Sequence, residues 1–102
     1  MPIKPIKVLL VDDSAIFRKV LRTVLEEDQR FDVVGAARNG EEALSMVEEF
    51  SPDALVLDVE MPVLDGLETL KAIRKKNAPP EVIMFSSHTK AGAEITLQAL
   101  EL

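Results

Sequence analysis

Three acidic residues in this sequence directly follow short apolar runs. Asp12 and Asp13 come after Val8-Leu9-Leu10-Val11, and Asp58 comes after Leu55-Val56-Leu57. Runs that are apolar at every position predict strands covered on both faces of a parallel sheet. Ligands of open parallel sheets gather at the carboxyl ends of the strands. If the first and third strands are neighbours, the three carboxylates converge on one crevice. Two of them ~4 Å apart repel by about 4 kcal/mol at an effective dielectric near 20, and a bound cation relieves that repulsion. Oxygen ligands without His or Cys select magnesium, manganese or calcium, and a few carboxylates with retained waters suit Mg2+ best. A carboxylate beside such a cation can also act as a nucleophile, which makes phosphoryl transfer to Asp58 the sharpest chemical reading. Ser86-Ser87 follows Val82-Ile83-Met84-Phe85 and adds hydroxyls at the same edge.

Plainer roles compete at each position. Asp12 and Asp13 suit the cap of a following helix, Ser86 and Ser87 suit a turn, Asp65-Gly66 reads as turn and cap, and His88 reads as a solvated loop residue. Asp58 tips the balance, because a carboxylate directly after a buried run and near two others is costly unless paired or metal-bound.

The elements that position these residues alternate between continuous apolar runs and helical spacing, which predicts an α/β chain. Val33-Val34 supplies a further strand. Phe17, Val20, Leu21, Val24 and Leu25 recur at i, i+3, i+4, i+7 and i+8 and predict the buried face of a first helix, with Ser14 as its N-cap. Asn39 with Glu42, and Asp65 with Glu68, have capping-box spacing and predict helix starts. The second helix then buries Ala43, Val47 and Phe50 before Pro52, and the third buries Leu67, Leu70 and Ile73 before Asn77 and Pro79-Pro80. Ala91 to Leu102 reads as a fourth helix. It has no C-cap glycine, so the expectation is a chain continuing into a longer parent.

Composition narrows the function classes. The chain has 102 residues, with 12 Lys+Arg against 18 Asp+Glu and a formal charge of −6, so a single acidic domain is expected. The acidic balance, with only four aromatic residues, all Phe, argues against nucleic acid as a direct ligand. No apolar run approaches the ~20 residues of a membrane helix, so no membrane segment is expected. Cysteine is absent, which removes disulfides and thiolate chemistry and makes a cytoplasmic location the unforced expectation.

Val11-Asp12-Asp13-Ser14, Leu57-Asp58-Val59-Glu60-Met61-Pro62 with Asp65-Gly66, and Ser86 after a buried strand together resemble the receiver domain of two-component response regulators. Asp58 to Pro62, Met84-Phe85-Ser86-Ser87-His88-Thr89 and Gly92 to Leu100 are similar to the receiver of chemotaxis protein-glutamate methylesterases, with His88 standing where relatives often carry Leu. The resemblance implies a flavodoxin-like (CheY-like), doubly wound parallel sheet of strand order 2-1-3-4-5, here truncated before the fifth strand. It implies that Asp58 is the phosphoacceptor for a chemotaxis histidine kinase. It implies Mg2+ on Asp13, Asp58 and the backbone carbonyl of Glu60, with Asp12 acting through a bound water, and Ser86 as the switch hydroxyl. A C-terminal methylesterase domain of the parent would be the regulated partner and chemoreceptors indirect ones, so the receiver itself carries no esterase residues.

Two other readings stay open on the residues alone: a magnesium-dependent phosphohydrolase with Asp58 as nucleophile and Glu60 two positions on, and a receiver-like module that regulates by docking alone. A serine hydrolase on Ser86, Ser87 and His88 is weaker, since sequence neighbours cannot form a triad. Without a fifth strand, Val82 to Phe85 is expected to present an open edge prone to self-association.

Overall fold

The structure is a computed structural model that describes residues 4–59, 61, 64–86 and 94–96. β1 (Ile6–Val11), α1 (Ala15–Glu26), β2 (Phe31–Ala37), α2 (Gly40–Phe50), β3 (Ala54–Asp58), α3 (Gly66–Arg74), β4 (Glu81–Ser86) and β5 (Glu94–Thr96) follow one another along the chain. The sheet order is β2-β1-β3-β4-β5. The first four strands run parallel and β5 runs antiparallel to β4. β1 and β3 are thus central neighbours, with Val11 beside Leu57.

Alternation along the strands sends side chains to two cores. Leu9, Val11, Leu55, Leu57, Val82 and Met84 meet Ala43 and Val47 of α2 and Leu70 and Ile73 of α3 on one face. Val8, Leu10 and Val33 meet Leu21 and Leu25 of α1 on the other. Helices on both faces are the doubly wound arrangement that continuously apolar strands require. Full burial of residues such as Leu9, Leu55 and Leu57 contributes about 2 kcal/mol each.

All three expected caps form. Ser14 Oγ accepts from Phe17 N, Asn39 Oδ1 from Glu42 N at 2.9 Å, and Asp65 Oδ1 from Glu68 N at 2.9 Å. Glu42 reaches back in turn, but to the N–H of Arg38 rather than that of Asn39.

Several expectations are corrected. Val20 and Val24 are 51% and 58% exposed, and with Ile16 at 79% they form an open apolar stripe on α1, which has no fully buried residue. Only Phe17, Leu21 and Leu25 turn toward the sheet, because one contact stripe is all that a helix lying on a single layer can cover. Leu67 is 54% exposed, and Thr69 is buried in its place with its hydroxyl donating to Asp65 O at 2.7 Å. Where a fourth helix was expected, residues 94–96 form a strand. Ile95 and Thr96 are β-branched, and the unpaired edge of β4 gives their main chain a partner along Met84–Ser86. The expected open edge is therefore capped over that stretch.

Candidate functional site

β1 and β3 end side by side and deliver their carboxylates together. One oxygen from each of Asp12, Asp13 and Asp58 lies within 4.8 Å of the others. Asp12 and Asp58 are fully buried, and Asp13 is exposed. Register fixes Asp58, which pairs with Phe85 of β4 and is followed by an N–H of Val59 donating to Phe85 O at 2.9 Å.

Asp12 is held by its own turn, with Oδ1 accepting from Ser14 N at 2.8 Å. Its Oδ2 is buried with no hydrogen-bond partner. Burial pushes the Asp12 carboxyl up to about 6 from 3.8; the Ser14 N–H opposes this, while the charges of Asp58 and Asp13 add to it. A buried, unsatisfied carboxylate oxygen beside two more carboxylates, with no nitrogen or sulfur donor in the group, fits a hard divalent cation.

The surroundings of Asp58 are close-packed. A Cβ on Gly66 would sit 2.3 Å from Asp58 O and 2.7 Å from Val59 Cα, so only glycine fits at the start of α3. Gly66 N also donates to Val59 O at 3.0 Å. Asp65 serves as turn and cap, as read from sequence. Ser86 ends β4 one residue after the partner of Asp58. Glu60, Ser87 and His88 lie outside the described residues.

One site residue was not singled out from sequence. Arg18 of α1 is half-buried and donates from Nη1 to the carbonyl of Asp12 at 2.6 Å. The signal available was its place a turn and a half after Asp12. A cleft of about 450 Å³ bounded by Val47, Ser51, Asp53, Lys76 and Pro80 lies at the amino ends of β3 and β4, away from the carboxylates. Its charged groups include the Lys76–Glu48 ion pair.

The sheet order and the acidic crevice define a receiver-type α/β domain, and sequence comparison agrees: the chain belongs to the response regulator receiver domain family, matched over residues 8–102. Among curated proteins it is similar to a protein-glutamate methylesterase/protein-glutamine glutaminase of Halalkalibacterium halodurans, 57% identical over 97 residues, covering 95% of this chain and 28% of that protein. A protein of the same description from Pyrococcus abyssi is 50% identical over 98 residues, covering 96% and 26%. The chain thus spans little more than a quarter of these relatives. Among solved structures, the response regulator domain of Thermotoga maritima CheB matches with a TM-score of 0.79 and 48% identity, over 88% of this chain and 66% of that one. The receiver domain of the putative response regulator NarL from Mycobacterium tuberculosis matches with a TM-score of 0.80 and 31% identity, over 86% and 71%. Among the described residues no helix is long and apolar enough to cross a membrane.

Proposed function

We propose that this domain accepts a phosphoryl group on Asp58 from a phosphohistidine of a chemotaxis histidine kinase, and that the change controls a C-terminal protein-glutamate methylesterase domain in a longer, cytoplasmic parent. The observation that carries the reading is the buried Asp58 carboxylate at the end of a central strand, with Asp12 and Asp13 oxygens within 4.8 Å. Family membership and the names of the relatives support the kinase and esterase assignments.

In the transfer, an oxygen of Asp58 forms a bond to phosphorus as the phosphorus–nitrogen bond breaks, and the leaving imidazole keeps its electron pair and takes a proton. Asp13 and Asp58, with the carbonyl of Glu60, would hold Mg2+, and Asp12 would act through a bound water. The cation supplies charge neutralisation at the phosphoryl oxygens. The chain itself aims the nucleophile: the Val59 N–H bond to Phe85 and the Gly66 contact fix the peptide behind Asp58. Ser86, beside that position, is the proposed hydroxyl that bonds the phosphoryl oxygen and biases the backbone toward one state.

The test uses a small acyl phosphate with Mg2+ on this chain, and on a chimera continuing into the remaining receiver sequence of the Thermotoga maritima protein. Mass spectrometry should find one phosphoryl group on Asp58 and none in Asp58→Asn. Equal modification of both would refute the assignment.

A further inference from the structure

We propose that Arg18 is a positioning residue for the cation site, acting through the main chain between Asp12 and Asp13; the inference rests on the cation reading above. Its guanidinium Nη1 donates to the Asp12 carbonyl at 2.6 Å across six residues of sequence. The N–H of Asp12 donates to Ala37 O of β2 at 3.1 Å. The main chain of Asp12 is therefore bonded at both ends, to the neighbouring strand by its N–H and to α1 by its carbonyl. The peptide group that contains this carbonyl is the one leading into Asp13.

The orientation of that peptide sets where the Asp13 side chain departs from the strand. Asp12 and Asp58 are buried, whereas Asp13 is the exposed member of the three. Asp13, next along the chain from the held carbonyl, is thus the carboxylate whose Cα this peptide group places directly. A guanidinium is permanently charged, and a charge-assisted bond to a carbonyl is short, as this one is. Arg18 also helps, behind Arg38, to lower the pKa of Glu42 at the start of α2, in keeping with a charge at the site end of the sheet.

Two effects of Arg18 on cation binding have opposite sign. As a nearby positive charge it repels a divalent cation, so its removal would tighten binding. As a positioning residue it orients Asp13, so its removal loosens binding. Partners of metal ligands typically matter by about 10–100-fold in affinity, and the exposed setting of Asp13 puts the expected loss near the lower end, about tenfold.

The experiment is calorimetric titration of the whole chain with Mg2+, together with the amide nitrogen resonance of Asp13 in the metal-free protein. Arg18→Gln should weaken binding about tenfold and shift that resonance upfield, because the carbonyl of the same peptide loses a charged donor. Arg18→Lys, which keeps a charged donor, should recover part of both. Parental or tighter binding by Arg18→Gln, or an unmoved Asp13 resonance, overturns the proposal. Far-UV circular dichroism establishes that each variant is folded. If Arg18→Gln is not, Arg18→Lys carries the test: weaker binding with a smaller shift supports the proposal, and parental values of both overturn it. If the unaltered chain binds no Mg2+, the cation reading itself fails, whereas parental affinity in the variant refutes the role of Arg18 alone.

Discussion

Replacing Asp12 by Asn should stabilise the domain at alkaline pH and leave it unchanged in acid. The Asp12 carboxyl titrates near 6 in the folded protein and at the ordinary 3.8 when unfolded, chiefly because it is buried. At about 1.4 kcal/mol per tenfold difference in proton affinity, this corresponds to roughly 3 kcal/mol. The folded state holds the proton more tightly, so between pH 3.8 and about 6 it binds more protons than the unfolded chain. The stability tied to that proton is therefore fully present below about pH 4 and is lost as pH rises through 6. Asn carries no charge at either pH and retains the oxygen that accepts from Ser14 N. Allowing for the amide fitting the Oδ2 position less well, the variant should be about 2 kcal/mol more stable at pH 8 and within about 0.5 kcal/mol at pH 4. Asp28 and Glu42, held near 2 by Arg30 and Arg38, lose their stabilising contribution as pH falls toward 2; they are common to both chains and cancel in the comparison. The assay is urea unfolding followed by far-UV circular dichroism with a chelator present. Saturating Mg2+ at pH 8 should then stabilise the unaltered chain, by about 2.7 kcal/mol at a hundred times its dissociation constant, and narrow the gap. A difference that is the same at pH 4 and pH 8, or a variant less stable at pH 8, would show that the charge on Asp12 is not what burial makes costly.

Two further outcomes follow from packing. Gly66→Ala should cost about 2–3 kcal/mol in urea unfolding, because the added methyl meets main-chain atoms at 2.3 and 2.7 Å rather than a side chain that can turn away; a loss below about 1 kcal/mol would show the start of α3 to be adjustable. The double change Val20→Lys and Val24→Lys should alter stability in urea unfolding by less than about 1 kcal/mol, since both side chains are more than half exposed. A large loss of stability would mean that the α1 stripe is covered.

How much was legible in the sequence differs by residue. Val8 to Val11 and Leu55 to Leu57 read as doubly covered strands, and the pairing of β1 with β3 then brings Asp12, Asp13 and Asp58 together at one end. Periodicity on α1 revealed which side chains are apolar but not that a single contact stripe would leave Val20 and Val24 in solvent. The length of β2 was hidden because Gly35-Ala36-Ala37 lacks bulk. Its register shifts between Val8 and Leu9, and a Cβ at Gly35 would crowd Leu9 and the Phe50 ring at 3.3 Å. Thr69 displaced Leu67 because its hydroxyl could be satisfied within its own helix. Arg18 was legible only through its spacing from Asp12, because its bond runs to a main-chain atom and patterns of side-chain type carry no record of main-chain acceptors. The strand at residues 94–96 depends on an edge that local propensity does not see.

Parallel winding has an electrostatic consequence of its own. Because each of β1, β2 and β3 is followed by a helix, α1, α2 and α3 all begin at the end where the carboxylates gather, and each presents there the positive pole of its peptide dipoles. The first turns of α2 and α3 carry Glu41, Glu42 and Glu68, which neutralise that pole locally. The first turn of α1 carries no acidic residue. α1 is also the helix that starts immediately after Asp12 and Asp13, with Ser14 as a neutral cap. The direction of the chain and one acid-free turn therefore give the crevice a fixed positive partial charge built from backbone alone. An acidic residue there, which in an ordinary helix would be favourable, would instead add to the repulsion among the three carboxylates.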